Sequence, residues 1–220
     1  MIKPIIAFII ASLAVTSVSA QTTAPSTDVY AIARTATGNG EYHYVEAFGQ
    51  KGKLIPWDIS YIDFGHASDY REVIIGAGGT LFDSKHLVVI GEGYIDKALG
   101  PTSGGATYLI PWALAIYHIT PKVGGQVTYF PYLPLNEAGR IQHVLERAKL
   151  EYDFGRIKMG GGYAGYQFGQ DEWQSRPFIT TTLKAGPVGN VELWLQRLPS
   201  NHLTFQVRWD RTFHTKPVAP

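Results

Sequence analysis

Arg147, Lys149, Glu151 and Asp153 take alternate positions in the stretch RAKLEYDFGRIKMGGG, and Ala148, Leu150, Tyr152 and Phe154 take the positions between them. A strand sends successive side chains to opposite faces, so this spacing makes one face charged and the other apolar. With Phe154-Gly155 as a two-residue hairpin loop, Asp153 lies opposite Arg156 and Glu151 opposite Lys158. On the other face Tyr152 meets Ile157 and Leu150 meets Met159. Opposite charges then pair on one side and apolar groups on the other, as stabilising cross-strand neighbours do. Two uses fit such a charged face. Paired charges along a pore wall pass small polar solutes and tune ion preference. The same charges can also neutralise one another as salt bridges that fill a narrow barrel.

Proton-transfer chemistry fits less well. Glu151 and Asp153 are spaced for a carboxylate pair, but their neighbours are cations, which suits ion pairing better than acid–base work. The histidines, His43, His66, His86, His118, His143, His202 and His214, form no pair at metal-ligand spacing. Gly65-His66-Ala67-Ser68-Asp69 gathers His, Ser and Asp in one loop, which reads as a polar loop more readily than as a hydrolytic triad. GxSxG, HExxH and phosphate-loop patterns are absent, and Gly160–Gly162 and Gly76–Gly79 read as strand kinks or close-packing points. No catalytic residue, metal or cofactor is expected, and a non-enzyme is favoured.

The elements that must carry this face are short and alternating. Segments of about ten residues are separated by Gly, Pro, Asn, Asp or Lys clusters, the pattern of strands and turns. About twelve are expected: 28–36, 41–49, 54–64, 71–82, 86–96, 106–117, 125–133, 142–154, 156–168, 175–185, 191–198 and 202–213. In the last, Leu203, Phe205, Val207, Trp209 and Phe213 share one face, broken by Arg211. Gln206, Arg208 and Asp210 share the other and join the charged set. Tyr108, Ile110, Trp112, Leu114 and Ile116 likewise share a face, with Ala113 and Ala115 opposite, and Tyr42, Tyr44 and Phe48, then Trp57, Ile59 and Tyr61, repeat the theme. Aromatics gather near segment ends, as in Tyr152/Phe154 and Tyr166/Phe168. Two features run against strands: Pro56, Pro111 and Pro131 fall inside them, and Ala138–Leu150 also carries a helical stripe of Ile141, Val144, Leu145 and Ala148.

At the start of the chain, Lys3 is followed by an apolar run from Ile5 to Val15 and by Val18-Ser19-Ala20. This is the layout of a signal peptide over 1–20, and the run is too short for a spanning helix. A leader over 21–27, a single domain over 28–213 and a tail over 214–220 follow. Lys+Arg total 19 against 18 Asp+Glu, which gives no support to nucleic-acid binding. The chain has no cysteine, which excludes a lipid-anchored lipoprotein and a disulfide framework.

Signal peptide, absence of cysteine, amphipathic ten-residue segments and a last segment ending in Phe213 together resemble a bacterial outer-membrane β-barrel, with Glu41–Phe64 more faintly similar to the start of nucleoside-channel barrels. The resemblance implies an all-β fold: a closed, antiparallel, up-and-down transmembrane barrel of about twelve strands in the outer membrane. Its partners would be outer-membrane lipid and small polar solutes, with no nucleic acid. Arg147, Lys149, Glu151, Asp153, Arg156, Lys158, Gln206, Arg208 and Asp210 would line the lumen of a passive pore or structural barrel. The residues leave two alternatives. One is a secreted soluble barrel or sandwich with the apolar stripe inward around an apolar ligand; the other is a membrane-embedded lipid hydrolase using rim residues such as Ser68.

Overall fold

The computed structural model describes residues 27–38, 41–65 and 69–214. The expected signal peptide, most of the leader, the tail beyond His214 and the loop residues His66, Ala67 and Ser68 lie outside these.

The described chain is twelve antiparallel strands closed into one barrel, each bonded to its sequence neighbours, with the first bonded to the last. They are β1 (Asp28–Thr37), β2 (Tyr42–Lys51), β3 (Leu54–Asp63), β4 (Arg71–Asp83), β5 (Leu87–Leu99), β6 (Thr107–His118), β7 (Val123–Pro134), β8 (Gln142–Asp153), β9 (Ile157–Phe168), β10 (Gln174–Lys184), β11 (Asn190–Arg197) and β12 (Leu203–His214). Closure runs from Asp28↔His214 to Thr37↔Phe205 and leaves no edge strand. The possible helix at Ala138–Leu150 is not formed: from Gln142 onward these residues are β8, paired along both sides. Its apolar stripe is overridden by alternation, which a bulge interrupts at Glu146-Arg147 and which runs unbroken from Arg147 to Asp153.

The outside of β8–β12 is apolar. Leu150, Met159, Ile179, Leu193, Leu195, Leu203 and Phe205 are each at least 40% exposed. Tyr152, Phe154 and Phe213 add exposed rings toward the end that holds the chain termini, and Tyr129 and Trp173 toward the other. An apolar belt with aromatic girdles is the exterior that lipid requires. Ile179 sits at the middle of β10 and is 64% exposed. Ile179→Arg is expected to weaken the barrel by about 2–4 kcal/mol, read as a lower urea midpoint in lipid vesicles. An unchanged midpoint would remove Ile179 from the lipid face.

Two of the awkward prolines compensate each other. In the β6–β7 ladder, pairing stops after Leu109↔Leu133 and resumes at Ala113↔Tyr129, so Pro111 and Pro131 face each other inside the gap. Both missing donors are lost at one place, and the other sides of these residues remain paired, Pro111 with Gly93 and Pro131 with His143. Pro56 falls in the β3–β4 register shift between Ile55 and Asp58, where a bulge tolerates it.

The hairpin at Arg147–Gly162 forms, but with a different turn and register. Phe154 N–H donates to the Ile157 carbonyl at 2.9 Å, which makes Gly155-Arg156 the two turn residues. Gly155 has φ +97°, a value that Phe154 at that position would adopt only with strain. Asp153 therefore lies opposite Lys158, Tyr152 opposite Met159 and Glu151 opposite Gly160. The displacement is two residues. Because faces alternate with period two, the charged and apolar faces survive it intact. Since the chain has no cysteine, the register has a clean test. Asp153→Cys with Lys158→Cys is expected to crosslink on oxidation, and Asp153→Cys with Arg156→Cys is not.

Candidate functional site: the barrel interior

Inward positions on β8–β12 and β1 carry the cations. Arg147 is 1% exposed and Lys149 5%, so both lie well inside the wall. Charges this deep must be paired. Arg147 reaches Glu146 at 2.6 Å and Glu192 at 3.5 Å, and Lys149 reaches Glu192 at 2.5 Å and Glu151 at 3.1 Å. Thr180 donates to Glu192 at 3.0 Å. The Gln126 amide, turned about its axis, accepts from Arg147 Nε and Nη1 at 3.3 and 3.2 Å. Trp194 stacks on Phe178 with centroids 4.3 Å apart and takes the Arg147 guanidinium on its ring at 4.7 Å.

An ion pair joins β1 to β8 across the lumen. Arg34 on β1 binds Glu146 on β8 and also donates to Tyr42 at 3.1 Å. Those strands are separated by β9–β12 on one side and by β2–β7 on the other. The bridge therefore divides the cross-section. On the β9–β12 side, Glu192, Trp194, Phe178 and Gln206 fill the space, and Gln206 bonds Tyr42 and Gln196, each at 3.0 Å. On the other side a cavity of about 470 Å³ extends from Gln50 and Ile116 toward Phe64, with no lining residue from β9, β10 or β11. Toward the chain termini it meets a second cavity of about 270 Å³, lined by Lys149, Glu151, Lys158 and Asp210. Tyr30, Ile32, Phe48, Gln126 and Arg208 line both.

Eight of the nine residues expected to line the lumen are placed in the interior by the barrel: Arg147, Lys149, Glu151, Asp153, Lys158, Gln206, Arg208 and Asp210. Arg156 is not; it lies exposed in the β8–β9 turn, because the turn is one residue later than expected. Asp153 pairs with Lys184 of β10 at 2.6 Å and not with Arg156. Arg208 makes no ion pair within 4.0 Å among the described residues, although it borders both cavities. Asp210 accepts from Asn190 at 2.8 Å.

The opposite half of the interior is built from residues outside the expected charged set. Tyr42, Tyr44, Phe48, Trp112, Ile110 and Leu114 face the lumen, so the bulky faces of β2 and β6 point inward and the alanines of β6 outward. Trp57, Ile59 and Tyr61 of β3 do face out. Among these inward side chains are Glu46, Asp58, Glu72, Glu92 and Asp96, and the arginines that line the larger cavity, Arg34, Arg147 and Arg208, belong to β1, β8 and β12. A carboxylate within each alternating run, such as Glu46 between Tyr44 and Phe48, was the available signal that the aromatic face meets water.

A closed barrel with a lipid-facing belt and a charged interior defines a transmembrane β-barrel. The structure of the KdgM porin superposes with a TM-score of 0.63 at 10% identity, covering 84% of this chain and 99% of that one. The KdgM porin in complex with disordered oligogalacturonate gives 0.60 at 8% identity, covering 85% and 99%. The NanC porin gives 0.57 at 9% identity, covering 86% and 100%. At these identities the likeness is one of fold. No protein-family pattern matches the sequence, and no curated protein matches it either.

Proposed function

We propose that the chain is an outer-membrane pore through which small polar solutes pass passively, exported by the signal peptide over 1–20. The observation that carries this is a pair of cavities that share lining residues, the larger beside the Arg34–Glu146 bridge and lined chiefly from β1–β8, the smaller bounded by Lys149, Lys158, Glu192 and Asp210 of β8–β12. The fold shared with the KdgM and NanC porins supports the same reading. So does the contrast between short turns at the terminal end, such as Gly52-Lys53 and Gly155-Arg156, and longer loops such as 64–70 and 135–141 at the other. That contrast fits short periplasmic turns and longer outer loops. Arg147, Lys149, Glu151, Asp153, Lys158, Gln206, Arg208 and Asp210 act as the polar wall.

Planar-bilayer recording of the refolded chain tests it. Stepwise conductance is expected, and Arg208→Ala is expected to shift selectivity toward cations, because a cation that lines both cavities is removed. Absence of conductance from a correctly folded barrel would replace the pore with a structural barrel. Conductance that ignores Arg208, Lys149 and Arg147 substitutions would remove those residues from the path.

A further inference from the structure

The open half of the lumen is not merely a water-filled gap. Ile62, Ile74, Ile90, Ile110, Leu114 and Ile116 supply apolar walls to the larger cavity. Tyr44, Tyr94 and Trp112 present rings among them, with Tyr94 edge-on to Trp112 at 6.4 Å. The charged groups inserted between these rings and isoleucines, Glu46, Asp58 and Glu92, are acidic, whereas the arginines that line the same cavity, Arg34, Arg147 and Arg208, come from β1, β8 and β12, with Arg34 5.8 Å from the Tyr44 ring. Asp58 is 1% exposed and lies within interaction range of Glu46 and Glu92. Tyr44 donates to Glu46, and Tyr94 donates to Asp58 at 3.2 Å. These phenols satisfy part of the cluster. Glu92 Oε2 and Asp58 Oδ1 have no hydrogen-bond partner among the described residues, and Glu92, 91% buried, borders the cavity directly. No group of three or more His, Cys, Asp or Glu among the described residues has a geometry that would hold a metal ion.

Glu46, Asp58 and Glu92 make no salt bridge among the described residues, and carboxylates buried together in this way are costly unless a counter-charge comes close. The walls around them specify which one. A hydrated inorganic ion gains nothing from isoleucines and ring faces, whereas an organic ammonium gains apolar burial for its body and cation–π contact for its charge. We propose that this half of the lumen is a binding site for organic cations with an apolar body, of the alkyl- or arylammonium class. Glu46 and Glu92 take the charge, Tyr44, Tyr94 and Trp112 the ring or alkyl face, and the isoleucines the remainder. The inference rests on the pore reading for access to the site, and it names the solute that the pore retains longest.

Isothermal titration of the full chain in a non-ionic detergent tests it with three probes of one shape: phenethylammonium, 2-phenylethanol and phenylacetate. Phenethylammonium is expected to bind saturably, beyond its partition into empty micelles and at least about tenfold tighter than either other probe, as a desolvated charge pair with ring contact implies. Glu92→Gln and Glu46→Gln keep the shape and relieve like-charge repulsion, and each is expected to remove most of that preference. Equal binding of the three probes, or preference for phenylacetate, would overturn the inference without recourse to any variant. Preference for 2-phenylethanol would make the site a neutral apolar one and overturn it equally. Planar-bilayer recording separates this outcome from failure of the pore itself. Conductance without cation-specific block sinks the binding site alone, whereas saturable binding without conductance sinks the pore.

Discussion

Replacing Glu146 with alanine is expected to widen the pore and weaken the barrel at once. Glu146 holds Arg34 across the lumen and Arg147 beside it, and its side chain is 22% exposed. Its removal leaves two guanidiniums, 10% and 1% exposed, with less negative charge to face. Loss of one member of a buried ionic network destabilises by about 3–5 kcal/mol, and the partial hydration of Glu146 places the effect at the lower end. Arg34 then no longer spans the cross-section. Single-channel conductance should rise, and reversal potentials in a salt gradient should move toward anion preference, because a negative charge has been deleted from the path. Unchanged conductance in a barrel that still shows heat-modifiable mobility would mean that the bridge does not limit flow.

Trp194→Ala is expected to open the opposite half. Trp194 is 3% exposed, parallel to Phe178 at 4.3 Å, and its ring also faces Arg34 at 5.5 Å. Truncation of a buried tryptophan leaves a cavity and weakens the fold by about 3–5 kcal/mol. The cavity lies beside charged groups and will take up water. Conductance should therefore rise with little change in ion preference, since no charge has been altered. That pairing of outcomes separates the two variants: both enlarge the lumen, and Glu146→Ala alone shifts its sign. Equal selectivity shifts in the two would contradict the division of the interior into a bridged path and a filled half.

The strands and the inner charged wall were legible because alternation survives small errors. Each expected segment overlaps one strand, and the hairpin at Arg147–Gly162 was assigned to the right faces although its pairing was two residues off. The turn itself was misplaced because charge matching favoured Asp153 with Arg156, whereas backbone strain favours Gly155 as the first turn residue. Charge pairs near a rim are weak determinants, and Asp153 found Lys184 instead.

The acidic half was illegible for a different reason. On β8 and β12 the apolar face meets lipid and the charged face meets the lumen, so polarity tells inside from outside. On β6 it does not, since Tyr108, Ile110 and Trp112 turn inward while Ala113 and Ala115 face lipid. Alanine tolerates lipid as well as isoleucine tolerates a packed interior, and one strand offers no third reference. The Arg34–Glu146 bridge was equally hidden, because it joins residues 112 positions apart that only barrel closure brings together.

The displaced turn at Gly155 reaches further than its own hairpin. In a closed barrel the strand number and the accumulated stagger of the ladders together dictate tilt, and tilt dictates calibre. A slip of two residues between β8 and β9 would conserve every face and still alter the circumference. Arg34 and Glu146 stand on opposite walls, so their reach is matched to one bore. A single left-handed residue at a rim thus gauges the span that a salt bridge must cross at mid-depth.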